Sequence, residues 1–244
     1  LFAALYRRMG IEFVTSDPVE SIEPGGGEGA RIRLRSGAEL EAHTVLVGAG
    51  RKLETGEIGL ENAGIETGPR GEIPVDGELR TAAPGVFAVG DATGGLLLAH
   101  LASFQGIQAA RNALGLKARE IPYHAIPWSI FTTPEIATVG LNETSCAAAG
   151  IDTESSLIPW MKNIKARIDR NTEGFVKVVA ERSTERIVGG TIVGAHASDM
   201  IHTLSSLVHQ RLTVSEASGM VFAHPGMAET IYEVLQNLRH RLLL

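Results

Sequence analysis

Apolar positions along this chain recur with a helical period in some stretches and a strand period in others, and the balance shifts past the middle. Phe2, Leu5 and Met9 fall at helical spacing, Arg7 and Arg8 close the segment, and Gly10 can cap it, so residues 1–10 predict the end of an amphipathic helix. No N-cap residue precedes them, which is the pattern expected of a piece of a longer polypeptide. Residues 11–22 predict a short β segment broken by a turn at Asp17-Pro18, and Pro24 to Gly29 a flexible hairpin tip. Residues 30–50 predict three strands. In one of them Ile32 and Leu34 alternate with Arg31, Arg33 and Arg35, giving one dry and one wet face. Thr44 to Val47 is a continuous apolar run ending in Gly48-Ala49-Gly50, as expected of a central strand. Gly85 to Asp91 predicts a buried strand ending on an acidic residue, and Leu98 to Leu114 a helix closed by Gly115.

A proline-containing linker around 116–124 separates this region from a second one. Residues 126–140 predict strand, turn and strand, and a short helix begins near Asn142 and closes at Gly150. Gly174 to Gly194 holds two strands around the polar turn Arg-Ser-Thr-Glu, a hairpin. Ser198 to Leu212 places Ile201, Leu204, Val208 and Leu212 on one helical face, and Thr213 with Glu216 forms a capping box for the next helix. The last helix, Pro225 to about Leu238, aligns Met227, Ile231, Val234, Leu235 and Leu238 on one side. Antiparallel strands backed by helices make an α+β module.

Composition narrows the classes of function. The chain has 22 Lys+Arg against 28 Asp+Glu, a formal charge of −6, which gives no basic surplus to meet nucleic-acid phosphates. No uninterrupted apolar run reaches membrane-spanning length, so a soluble, cytoplasmic protein is expected, with neither a nucleic acid nor a membrane as partner. The single cysteine, Cys146, excludes an intrachain redox pair or a multi-cysteine zinc site and reads as a helical packing residue. His202 and His209, seven apart on one helix, could face a partner but lack further metal ligands. His43, His124, His196 and His240 read as surface or loop residues. Trp128 and Trp160 follow prolines and read as packing anchors.

Two constellations carry chemistry. In the segment from Thr81 to Asp91, Gly90 and Asp91 end an apolar stretch, where open α/β sheets bind ligands; the carboxylate can accept two hydroxyls and the glycine lets a ligand pass closely. Leu97, Leu98, Ala99 and His100 then open a helix whose free N–H groups favour electron-rich ligand atoms. A plain strand end followed by a turn is the alternative. Near the end of the chain, His224-Pro225 precedes Glu229. Proline biases His224 away from helical dihedrals, and Glu229 can accept one imidazole N–H and raise the basicity of the other nitrogen. Five residues on a regular helix do not share a face, so a capping histidine and an unrelated first-turn glutamate is the competing reading.

Together these motifs resemble the pyridine nucleotide-disulfide oxidoreductases, the flavoprotein family of dihydrolipoamide dehydrogenase, glutathione reductase and mercuric reductase. Thr81 to Asp91 resembles the family's second FAD signature, Leu97 to His100 its Met-Leu-Ala-His stretch, and His224 to Glu229 its His-Pro-x-x-x-Glu motif. The resemblance implies α/β remnants of FAD- and NAD(P)-binding domains followed by an α+β dimerisation domain. Residues 1–50 would belong to the NAD(P)-binding domain, 51–118 to the FAD-binding domain and 119–244 to the dimerisation domain. It further implies that Asp91, with Gly90, holds the FAD ribitol and that the backbone at Leu97, Leu98, Ala99 and His100 lies against the isoalloxazine. Gly50 and Val19 would lie near NAD(P). His224, oriented by Glu229, would be the acid–base for a substrate thiol, serving the partner subunit of a homodimer. The implied reaction is NAD(P)-linked dithiol oxidation, dihydrolipoamide first, on a small-molecule or lipoyl-carrier dithiol, with glutathione- and mercuric-reductase-like activities as alternatives. Departures matter: both Gly-x-Gly-x-x-Gly loops and the Cys-x4-Cys pair are absent, and Phe222 stands where many relatives have a second histidine. By itself the chain is therefore expected to be inactive, or to be a non-catalytic FAD-binding or dimerisation module.

Overall fold

The computed structural model describes residues 2–243, which divide into two compact units between Lys52 and Leu53. The first unit opens with helix α1 (Phe2–Arg8), closed at Gly10 by a positive φ of 84°. Strands β1 (Val19–Pro24), β2 (Ala30–Leu34) and β3 (Glu39–Ala42) form an antiparallel meander. Ile22, Ile32 and Leu40 align across it, and Ile32 and Leu34 are buried as their alternation requires. The Asp17 carboxylate accepts the Ser36 amide at 2.9 Å and its hydroxyl at 2.6 Å, so the Asp17-Pro18 turn is tied to the β2–β3 turn. Thr44–Val47 does not form the expected central strand. No ladder pairs with it among the described residues, and Leu46 and Val47 are 94% and 71% exposed. An apolar run becomes a central strand only when neighbours on both sides complete its hydrogen bonds.

In the second unit, residues 53–98 are mostly turns around small apolar clusters, one of them Ile65, Ile73, Ala83 and Ala88. The segment from Gly85 to Asp91 is likewise not a full strand. One bridge joins Arg80 to Phe87, and the chain then tightens into a 3-10 turn over Gly90–Thr93. Helix α2 (Ala99–Ala113) follows, with Leu101, Gln105, Gln108 and Ala109 turned inward, and ends in Gly115 at φ 66°. The Gln108 side chain accepts the Arg119 amide at 2.7 Å, fastening the linker to the helix.

The remainder is a five-stranded antiparallel sheet in the order β4-β5-β8-β7-β6. Its strands are β4 (Trp128–Ile130), β5 (Glu135–Gly140), β6 (Thr153–Pro159), β7 (Phe175–Glu181) and β8 (Ile187–Gly194). Between β5 and β6 lies helix α3 (Glu143–Ala148), whose N-cap Asn142 accepts the Ser145 amide. Between β6 and β7 lies α4 (Ile164–Ile168), capped by Asn163. Neither β6 nor α4 was expected from the hydrophobic pattern, because the polar run Thr153–Ser156 hides the period. Helices α5 (Ala197–His209), α6 (Val214–Ala217) and α7 (Glu229–Leu242) complete the unit.

Ala137, Ile192, Val176 and Ile158 align as one row across four strands, and α5 and α7 cover that face. Ile201, Leu204 and Val208 of α5 and Ile231, Val234, Leu235 and Leu238 of α7 are all buried there. The capping box of Thr213 and Glu216 forms as expected. Cys146 is wholly buried and burial raises its thiol pKa, the behaviour of a packing residue. Trp160 is wholly buried, whereas Trp128 is not a packing anchor: it lies on the edge strand β4 and is 41% exposed. The order anticipated from the sequence, a first region of helix, strands and turns followed by an antiparallel α+β module, holds. Among the described residues no helix is long and apolar enough to cross a membrane.

Candidate active site at the head of the last helix

The C-terminal constellation is built on a loop pinned at both ends. Phe222 and Met227 pack against the main core, and the Phe222 ring lies 6.2 Å from that of Tyr232. Between these anchors Ala223, His224 and Pro225 are exposed, through a cis His224-Pro225 peptide. The expected helix start at Pro225 moves to Glu229, because residues 226–229 form tight turns in which the Thr230 amide donates to Met227 O. That delay lets His224 and Glu229 meet despite their five-residue spacing.

His224 Nδ1–H donates to Glu229 Oε1 at 2.9 Å, and the Gly226 amide donates to Glu229 Oε2 at 2.8 Å. The histidine side chain is 69% exposed and the glutamate 23%. With Nδ1 committed to a carboxylate, Nε2 is the ring nitrogen left to exchange a proton. The Gly226 amide, and next the His224 imidazole, hold the Glu229 carboxyl below the ordinary carboxylate range. Because the folded value is lowered, the stability Glu229 contributes is fully present above its unfolded pKa and is lost as pH falls through the folded one. In an acid titration followed by NMR, the Gly226 amide shift is expected to report a midpoint below 4.5, the unperturbed glutamate value. A midpoint at or above 4.5 would contradict the bond.

Sequence reasoning missed the residue beneath this loop. Asn163, 2% exposed, donates from Nδ2 to Gly226 O at 3.1 Å and to Thr230 Oγ1 at 2.9 Å. Its Oδ1 accepts the Ala166 amide at 2.9 Å. An asparagine just ahead of Ile-Lys-Ala-Arg-Ile is a recognisable N-cap, but its reach to residues 226 and 230 leaves no local signal.

The second constellation sits at the head of α2. Gly90, at φ 68°, gives its amide to Gln105 Oε1 at 2.7 Å, and Gln105 Nε2 donates to the Tyr123 hydroxyl at 3.0 Å. A Cβ on Gly90 would lie 3.0 Å from the Ala102 methyl, so the turn packs closely on the helix. Asp91 is exposed on that turn, and Thr93 Oγ1 donates to Gly90 O at 2.8 Å. Leu98 caps α2 with no side-chain bond, leaving the first amides of the helix open, while Leu97 is partly buried and Ala99 and His100 are exposed. His100 Nε2–H donates to Pro127 O at 2.8 Å, so its side chain serves the linker region and only its backbone faces the helix head. An exposed carboxylate beside a glycine turn and an uncapped helix start fit a polyhydroxy chain joined to an electron-rich ring. Gln105 is a second residue not anticipated. Val19 and Gly50 lie in the first unit: Val19 pairs with Leu34 at the start of β1 and is 55% exposed, and Gly50 is exposed at φ 125°. Among the described residues no three His, Cys, Asp or Glu side chains converge as a metal site would need.

Comparison with known proteins bears on both constellations. Residues 2–106 match the pyridine nucleotide-disulphide oxidoreductase family, and residues 126–235 match its dimerisation domain. The dihydrolipoyl dehydrogenase of Chlamydia muridarum is 40% identical over 92% of this chain and 48% of its own length. The crystal structure of LpdA from Mycobacterium tuberculosis superposes with a TM-score of 0.89 at 30% identity, covering 96% of this chain and 51% of that one. The HOCl-induced flavoprotein disulfide reductase RclA from Escherichia coli gives 0.87 at 26% identity, over 96% of this chain and 54% of its own. The chain spans about half the length of the curated relatives it matches. With two family matches that together run through both constellations, the chain belongs to the pyridine nucleotide-disulphide oxidoreductases.

Proposed function

We propose that this chain is part of an FAD-dependent, NAD(P)-linked disulfide oxidoreductase acting on a dithiol, dihydrolipoamide first, either free or on a lipoyl carrier. The observation that carries the reading is the pair His224–Glu229, presented on an exposed turn with the carboxylate fixed behind the imidazole. When bound, the flavin supplies two-electron transfer between nicotinamide and thiols. His224 takes the substrate thiol proton on Nε2, because the thiolate and not the thiol exchanges with a disulfide. Glu229 holds the tautomer and stabilises the imidazolium once the proton has arrived. Asp91 accepts the ribitol hydroxyls, Gly90 keeps the approach open, and the backbone from Leu97 to His100 faces the ring. Gly50 and Val19 belong to the nicotinamide side.

We assign residues 1–50 to an NAD(P)-binding domain, 51–118 to an FAD-binding domain and 119–244 to dimerisation. A homodimer is supported by the dimerisation-domain match. A cytoplasmic location is part of the same proposal. A glutathione- or mercuric-reductase-like substrate is the second reading, favoured by Phe222, which packs inward where many dihydrolipoamide enzymes carry a histidine.

The flavin side is tested by absorbance of the purified protein. Asp91→Ala is expected to weaken flavin retention on the order of tenfold or more, from loss of charge-assisted hydrogen bonds. Equal flavin content in the two proteins would remove Asp91 from the cofactor site.

A further inference from the structure

We infer that Asn163 is a positioning residue for the His224–Glu229 pair, acting through the Gly226 carbonyl; the inference rests on the function proposed above. Its amide is used in full. The oxygen caps α4 through Ala166, and the two amide hydrogens divide between Gly226 O and Thr230 Oγ1. Asn163 and Thr230 are 2% and 0% exposed, so Thr230 Oγ1 has no water as a substitute partner, while the bond to Gly226 O is partly buried. Asn163 is itself fixed by its own backbone, whose amide donates to Trp160 O at 2.9 Å beneath the buried indole.

Gly226 is the point through which the arrangement acts. Its carbonyl is held by Asn163, while its amide points at Glu229 Oε2, whose other oxygen receives His224 Nδ1–H. A Cβ at this position would lie 2.8 Å from Ala223 O, so the turn accommodates no side chain. One buried amide therefore holds the carbonyl of the residue whose own N–H orients the carboxylate that orients the imidazole. His224 is itself 69% exposed and held on one side only, so rigidity of the reacting group has to come from beneath.

Asn163→Ser tests this, because serine still caps α4 and adds no charge but cannot reach residues 226 and 230. Hydrogen exchange of the peptide covering 222–230, measured in the full chain, is expected to speed up about tenfold. The sheet peptides are expected to be unchanged. In the flavin-loaded protein, kcat for the dithiol is expected to fall on the order of ten- to a hundredfold with KM within about twofold. Exchange within about twofold of the parent would overturn the inference, as would a parallel loss in kcat and flavin content. Should Asn163→Ser fail to fold, Thr230→Val removes one of the two anchors at nearly constant volume, and unchanged exchange there overturns the inference equally. His224→Gln separates the two readings. Full dithiol turnover in His224→Gln alongside faster exchange in Asn163→Ser would sink the proposed function and leave the clamp standing. The opposite pair of results would sink the clamp alone.

Discussion

Replacing His224 by glutamine is expected to slow the dithiol half-reaction about a hundred- to ten-thousandfold, the usual contribution of a positioned acid–base group. Glutamine keeps an amide near Glu229 but has no nitrogen that can take up a thiol proton at neutral pH. In the proposed enzyme the nicotinamide half-reaction involves no substrate thiol, so it is expected to continue at the parental rate. Rapid-mixing measurements with dithiol alone and with reduced nicotinamide alone separate the two. Equal slowing of both would point to a disturbed cofactor site, and no slowing of either would remove His224 from the chemistry. Glu229→Gln is expected to fall between, because the amide still accepts His224 Nδ1–H but no longer offers a charge to the imidazolium.

The second large effect concerns stability. Trp160→Ala is expected to destabilise the second unit by about 3–5 kcal/mol, the usual range for deleting a large buried aromatic. Trp160 is wholly buried, and its indole N–H donates to Val193 O at 2.6 Å, tying the end of β6 to the end of β8. A Cβ on Gly194, at φ 149°, would collide with the indole, so the glycine and the tryptophan fit each other. A melting temperature lower by roughly 10 °C is the expected reading for a unit of this size. Trp160→Phe, which keeps most of the volume but removes the indole donor to Val193 O, is expected to cost about 1–3 kcal/mol. A Trp160→Ala protein melting within about 1 °C of the parent would contradict this account of the core.

What could be read from the chain follows from how local each cause is. The β7–β8 hairpin, the helical period of α5 and α7 and the Thr213–Glu216 box are all encoded within a few residues, and all formed as expected. Thr44–Val47 and Gly85–Asp91 did not become strands, since an apolar run carries no information about whether neighbours exist to pair with it. Strand β6 was hidden because Glu154 and the buried Ser156 share the inward register with Ile158, while the apolar Leu157 faces outward. The contact of His224 with Glu229 could not be derived from spacing, since it depends on the helix starting four residues later than its hydrophobic stripe suggests. Asn163 and Gln105 were illegible for a related reason. Each acts on backbone distant in sequence, 63 residues away for Asn163 and Gly226, and no periodicity encodes that.

The central claim is that His224 and Glu229 serve a dithiol substrate in an enzyme linked to NAD(P). Steady-state oxidation of dihydrolipoamide by the intact, flavin-loaded enzyme that contains this chain, followed as reduced nicotinamide forms, tests it most directly. The account predicts turnover that depends on dithiol, on flavin and on His224 together. An intact, flavin-loaded enzyme that turns over neither dihydrolipoamide nor glutathione nor mercuric ion would contradict it.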